Sequence, residues 1–266
     1  MKSKITRRKF VQKSVIAGGA MLTAGPLLGS INPELDTPID YHVHLTRTFT
    51  IEDAVELSKK RNVKFGIVEH PGGRAAIRND EDLEAYIKKL RQYPVYIGVQ
   101  PIMRNWAKDF SEELVKQLDF VLMDADTVPL GGDEYLAIWR HNNYIDDVDA
   151  FMDIYMKHII DILENEPITI FARPTYLPVN FGRYYDKIWT EERMMTIINL
   201  AKAKNIAMEI ATPMHVPSPK FIKMAKANGL KFTFGTNARN IDAGKLHYGY
   251  EMMKECGLTK NDMLVL

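Results

Sequence analysis

Cysteine is almost missing from this chain: Cys256 is the single one in 266 residues, which excludes an intramolecular disulfide and any thiolate-rich zinc cage. An excess of either charge is missing too. The 35 Lys and Arg side chains face 34 Asp and Glu, so the electrostatic footprint of a nucleic-acid binder is absent. No Pro-rich or Ser-rich linker divides the chain. What is present is a composition that is 46% hydrophobic, enough to bury a full core in one domain of the larger α/β type. With thiolates excluded, metal chemistry would have to rest on histidine and carboxylate.

The first 30 residues stand apart from the rest: "TRRKFVQKS" is followed by the apolar, small-residue run "VIAGGAMLTAGPLLG", the layout of an export signal. The run is short and rich in Gly and Ala, which argues against a stable membrane span. Paired Arg7 and Arg8, followed by Lys9, Phe10 and Val11, resemble the bacterial twin-arginine signal. That resemblance implies an exported, periplasmic protein, tethered to the membrane if the segment stays uncleaved, and a folded domain over residues 31–266.

From Ile39 onward short apolar runs alternate with amphipathic stretches, the rhythm of βα units around a mostly parallel sheet. Seven strands are expected, at 39–45, 65–70, 95–100, 120–125, 168–173, 206–211 and 231–236. Helices are expected at 50–62, behind Thr50, and at 111–118, behind Ser111, with others at 148–165, 190–205 and 218–229. The reading is an α/β chain forming one (β/α) barrel. Its longest departure from the repeat, between Asp126 and the helix at 148–165, has the length and aromatic content of a wall of a substrate pocket.

Active sites of such barrels lie at the C-terminal ends of the strands, and those ends are polar here. In order they carry His42 and His44, Glu69 and His70, Gln100, Asp124 and Asp126, Arg173, Glu209, then Asn237 and Arg239. Two histidines two residues apart on a strand share a face and can offer nitrogens to one ion. The arginines suit an anionic group or a structural ion network. His215, on the loop after the sixth strand, is placed to reach substrate, and aromatics such as Trp139, Tyr176, Tyr185 and Trp189 crowd the same loops. A ring-bearing ligand and plain loop packing both account for them.

The order of these elements resembles the PHP superfamily, named for polymerase and histidinol phosphatase members. Its opening motif, Asp-x-His-x-His, is matched by Asp40, His42 and His44, and "FGIVEH" stands where the family ends its second strand with Asp-His. "LDFVLMDAD", "AMEIAT", "FTFGTNARN" and "YEMMKECGL" continue the correspondence over nearly the whole of the remaining chain. The resemblance implies a distorted seven-stranded barrel and metal-dependent hydrolysis. It also exposes departures: Gln100 replaces a bridging glutamate, Asp126 and Arg173 replace histidines, Asn237 and Arg239 replace an Asp and a His, and Thr50 replaces another histidine.

Several clustered divalent ions need bridging carboxylates, which this rim has lost. The expectation is therefore one divalent ion, Zn, Mn or Fe, on His42, His44 and His70 with Asp126 or Glu69 as an oxygen donor. Glu69, Glu209 and Arg239 are the expected catalytic groups; Gln100, Arg173, Asn237 and His215 are expected to bind substrate. The function so implied is a hydrolase acting on a small polar or anionic substrate, a phosphoester or carbohydrate-derived compound, with no nucleic-acid partner. The alternative is a metal-free ligand-binding protein, lyase or isomerase that uses the rim arginines.

Overall fold

Seven runs rich in β-branched and aromatic residues close into a parallel barrel in the computed structural model, which describes residues 37–266 apart from Arg74, Asp133, Asn142 and Tyr144. The export-signal segment at 1–30 lies outside the described residues. The strands are β1 (Ile39–Val43), β2 (Lys64–Glu69), β3 (Tyr96–Val99), β4 (Phe120–Met123), β5 (Thr127–Gly131), β6 (Glu134–Ala137), β7 (Ile170–Phe171), β8 (Ala207–Ala211) and β9 (Phe232–Gly235). The barrel order is β1-β2-β3-β4-β7-β8-β9, with β9 returning to pair with β1. Strands β5 and β6 pair antiparallel with each other as a separate hairpin. All seven barrel strands fall where the hydrophobic runs place them; the hairpin lies inside the stretch expected to depart from the repeat.

The helices are α1 (Ile51–Arg61), α2 (Asp80–Leu90), α3 (Glu112–Val115), α4 (Val148–Asn165), α5 (Tyr185–Ile188), α6 (Glu191–Lys204), α7 (Pro219–Ala227) and α8 (His247–Cys256). Local chemistry sets their ends. Thr50 caps α1 in a reciprocal box with Asp53, and Asn62 closes that helix in the left-handed conformation. Thr190 and Ser218 cap α6 and α7 through their side-chain oxygens, the latter with Pro219 in the first turn. Among the described residues no helix is long and apolar enough to cross a membrane.

The inside of the barrel is filled by Ile39, Tyr41, Val68, Phe120, Leu122, Ile170, Ala172 and Ala207. Phe120 can lie there because β2 and β3, the two strands before its own, carry glycine: a Cβ on Gly98 would come within 2.5 Å of its ring, and one on Gly66 within 2.8 Å. A larger cluster, including Phe65, Ile67, Leu83, Ile162, Phe221 and Met253, joins the strands to the helices. The β1–β2 register slips between Asp40 and Val43. Such a slip re-aims side chains, letting Tyr41 join the inner cluster while His42, next in sequence, also reaches across the barrel.

Candidate metal centre at the C-terminal rim

Residue types that would be costly to bury alone are buried together at the C-terminal ends of the strands. His42, His44, Gln100, Asp126, Arg173 and Glu209 are all buried. His42 Nδ1 lies 2.7 Å from Glu209 Oε1, so a side chain of β1 meets one of β8. An imidazole that gives its Nδ1 proton to a carboxylate keeps a lone pair on Nε2, and His42 Nε2 is buried without a hydrogen-bond partner. His70 is held likewise: its Nδ1 is 2.8 Å from the Gln100 carbonyl oxygen, an arrangement that makes Nδ1 the donor and leaves Nε2 as the free acceptor. His44 Nε2 is also buried and unpartnered. Its ring centre is 5.4 Å from that of His42 and 5.0 Å from that of His70. Burial, followed by the neighbouring His42, Arg239 and His70, pushes the His44 pKa well below the ordinary histidine value, so its ring is neutral and competent to ligate.

Among the described residues, His44, Glu69 and His70 form a group whose ligand atoms all lie within 4.8 Å of one another, close enough to hold a metal ion. Of the two carboxylates considered as the oxygen donor, Glu69 is the one in this group. Glu69 Oε1 also accepts the His70 backbone N–H at 2.8 Å, which orients it. His42 stands beside the group, its ring tilted at 49° to that of His44.

Asp126 is engaged elsewhere. Arg173 Nη2 donates to Asp124 Oδ2 at 2.6 Å and sits 3.0 Å from Asp126 Oδ2. Burial raises the Asp126 carboxyl well above the usual range against the pull of Arg173. Burial would raise Asp124 too, but Arg173, the Asp126 N–H and the Gln100 amide together hold it below that range. Gln100 Nε2 donates to the same Asp124 oxygen at 2.7 Å, tying β3 to this network. The Arg173 backbone N–H donates to Glu209 Oε2 at 3.0 Å, with Arg173 at φ 49°. Glu209 therefore has both oxygens occupied, one by His42 and one by Arg173, in the position of a group that orients others.

Asp40, the first residue of the Asp-x-His-x-His motif, has a different duty. Its Oδ1 accepts the N–H groups of His42 and Thr236, and its Oδ2 accepts the Thr236 hydroxyl and the Gly244 N–H. It latches β1 to the end of β9. Asn237 follows that strand at φ 49°, and its side-chain oxygen accepts from Arg239 Nη1 at 2.8 Å. Arg239 is exposed and acts electrostatically on Glu69.

No family model matches the chain, and no curated protein is similar to it. Among solved structures, it is similar to a chain in the cryo-EM structure of archaeal ribonuclease P with mature tRNA. The two are 15% identical over 85% of this chain and 94% of that one, with a TM-score of 0.42.

His215, expected at the rim, lies in an exposed loop at φ 53°, its ring stacked on Tyr248 with centres 4.7 Å apart. Together they help line a cavity of about 760 Å³, with Trp139, His141, Tyr176 and Tyr185 among its other walls. Sequence reading singled out Tyr176 and Tyr185 but missed Tyr248, on α8, and the partners of Asp40, Thr236 and Gly244. The only local signal for the latter pair is Thr236 standing at the end of the last strand.

Proposed function

We propose that this chain is a hydrolase acting on a small substrate with a polar or anionic group, such as a phosphoester, at one divalent ion held by His44, Glu69 and His70. The observation that carries the reading is the convergence of those three donors, with His44 Nε2 buried and left without a partner. Charge supports a single ion. Four carboxylates, Glu69, Asp124, Asp126 and Glu209, stand against the guanidiniums of Arg173 and Arg239, so the rim is negative by one charge even with Asp126 protonated. One divalent cation leaves the rim within one charge of neutral, whereas each further ion adds two uncompensated positive charges.

A bound ion would supply Lewis acidity, polarising a substrate oxygen and making water a competent nucleophile at neutral pH. The chain's own groups do the rest. Glu209 and the Gln100 carbonyl fix the tautomers of His42 and His70. His42 Nε2 is free to take or give a proton beside the group. Arg239, exposed at the mouth, attracts an anionic substrate. A metal-free reading based on Arg173 has less support, because Asp124 and Asp126 already engage that guanidinium. The reading extends to an exported, periplasmic protein on the strength of Arg7 and Arg8, and replacing both with Lys is expected to hold the chain in the cytoplasm.

Elemental analysis of the purified full chain, supplied with Zn, Mn or Fe, is expected to find about one ion per chain, lost in the His44→Ala, His70→Ala double variant. Turnover of a panel of phosphate esters and glycosides should disappear on chelation and return with metal. A parent protein that retains no metal, or turnover indifferent to chelator, overturns the reading.

A further inference from the structure

The cavity beside the rim is walled mainly by aromatic and aliphatic side chains, with His141, His215 and Ser218 as its polar members besides the tyrosine hydroxyls. Among the described residues that line it there is no Asp, Glu, Asn, Gln, Lys or Arg; Tyr176, Tyr185, Tyr248 and Trp139 are joined by Leu177, Val179, Met214, Val216 and Pro219. Its volume, about 760 Å³, falls in the range of sites that enclose small organic ligands. A sugar would find few partners for its many hydroxyls there, and an anion would find no Lys or Arg.

The walls are also braced. The Tyr248 hydroxyl donates to the Pro217 carbonyl at 2.7 Å, and the Tyr185 hydroxyl accepts the Ser218 N–H at 3.2 Å while meeting the Thr175 hydroxyl. The cavity borders the rim: the Tyr176 ring that lines it lies 5.9 Å from the Arg173 guanidinium. Met214 and His215 belong to the loop leaving β8, the strand whose Glu209 holds His42.

We infer that this cavity binds an apolar, ring-bearing part of the substrate whose polar group is hydrolysed at His44, Glu69 and His70. The inference rests on the hydrolase reading and narrows it from small polar compounds to amphiphilic ones with an aromatic or alicyclic portion. A carbohydrate-derived compound, one of the substrates expected from sequence, finds few polar partners on these walls.

Gly182 provides the test, since it lines the cavity and a Cβ there meets nothing within 4 Å, so Gly182→Leu is the substitution chosen to reduce the cavity's volume. Calorimetry on the full chain uses 1-naphthol, which has the ring and no ester. Kinetics compare 1-naphthyl phosphate with methyl phosphate; in each, water adds to phosphorus and the P–O bond to the alcohol breaks, the leaving oxygen taking a proton from that water to give the neutral alcohol and inorganic phosphate. We expect 1-naphthol to bind the parent and to bind Gly182→Leu about tenfold more weakly or worse. The kcat/KM preference for the naphthyl ester should fall by a similar factor. If Gly182→Leu misfolds by circular dichroism, Trp139→Ala, at an exposed part of the wall, is read in its place. Turnover of methyl phosphate with no 1-naphthol binding, or with binding unchanged in the variant, overturns the cavity assignment and leaves the hydrolase reading standing. Naphthol binding that weakens in the variant with no ester turned over overturns the hydrolase reading, and with it the assignment of the cavity to a hydrolysed substrate.

Discussion

The Glu209 carboxylate meets His42 Nδ1 at 2.7 Å with one oxygen and takes the Arg173 N–H at 3.0 Å with the other. One buried side chain thus sets the tautomer of a rim histidine and holds the chain leaving β7. A Cβ on Gly235, in β9, would run into that same carboxylate. Gly235→Ala should therefore destabilise the fold by displacing Glu209. Gly182→Ala, where the new methyl meets nothing, serves as its control. Glu209→Gln keeps the shape but leaves one partner facing an amide NH2, at an expected cost of about 1–3 kcal/mol by urea denaturation.

Arg173 lies between two buried carboxylates, and Arg173→Met leaves both without their cation. A loss of about 3–5 kcal/mol is expected at pH 7. The loss should shrink on acidification. Without the guanidinium, burial raises the folded-state pKa of Asp124 as it already does that of Asp126, and a carboxyl raised in the fold favours folding at low pH and disfavours it as pH rises. In the parent, Asp124 is held low and contributes stability above the unfolded carboxyl value, which is lost below it. Parent and variant denaturation curves should thus approach each other between pH 7 and pH 4, where a constant gap would contradict the ion-pair account.

Asp40 receives four hydrogen bonds from His42, Thr236 and Gly244, and Asn offers one accepting oxygen in place of two. Asp40→Asn should lower stability by about 1–3 kcal/mol. Amide exchange should speed up at Thr236 and Gly244, while the ion content at saturating metal stays unchanged. Loss of the ion itself would make Asp40 part of the metal centre.

His158, on α4, is buried with neither ring nitrogen hydrogen-bonded. Burial, then Arg104, pushes its pKa down to about 4, against the opposing pull of Asp124 and Asp161. The unfolded chain takes up this proton near pH 6.5 and the folded chain only near 4, so stability falls as pH drops through that window. His158→Leu removes the term. Its stability loss between pH 7.5 and pH 5 should be smaller than the parent's by about 2 kcal/mol, read by urea denaturation at the two pH values.

The barrel was legible because each strand is a short apolar run bounded by a polar end and a helix signal, features local to a few residues. His42, His44, Glu69 and His70 were legible for the same reason: spacing along two adjacent strands brings them together. What sequence could not show is which strand-end charges cancel. Asp126 and Arg173 are 47 positions apart, and only closure of the sheet from β4 to β7 sets them 3.0 Å from each other. The role of Asp40 was hidden likewise, since its partners lie about 200 residues away. Thr50, a departure from the PHP pattern, is accounted for by the cap it gives α1.

Among the described residues the β5–β6 hairpin pairs only with itself, while the segment that leaves it carries Trp139 and His141 to the cavity wall. Ladder hydrogen bonds of the barrel do not pass through this excursion, so its exposed residues can be exchanged, with Val128 and Ile138 kept in the core, without renegotiating the closure of the sheet. Under the proposed function, choice of ligand and persistence of the candidate metal group are thereby separable traits in this fold. Grafting a different excursion between β4 and α4 is a route to retargeting the protein with His44, Glu69 and His70 left in place.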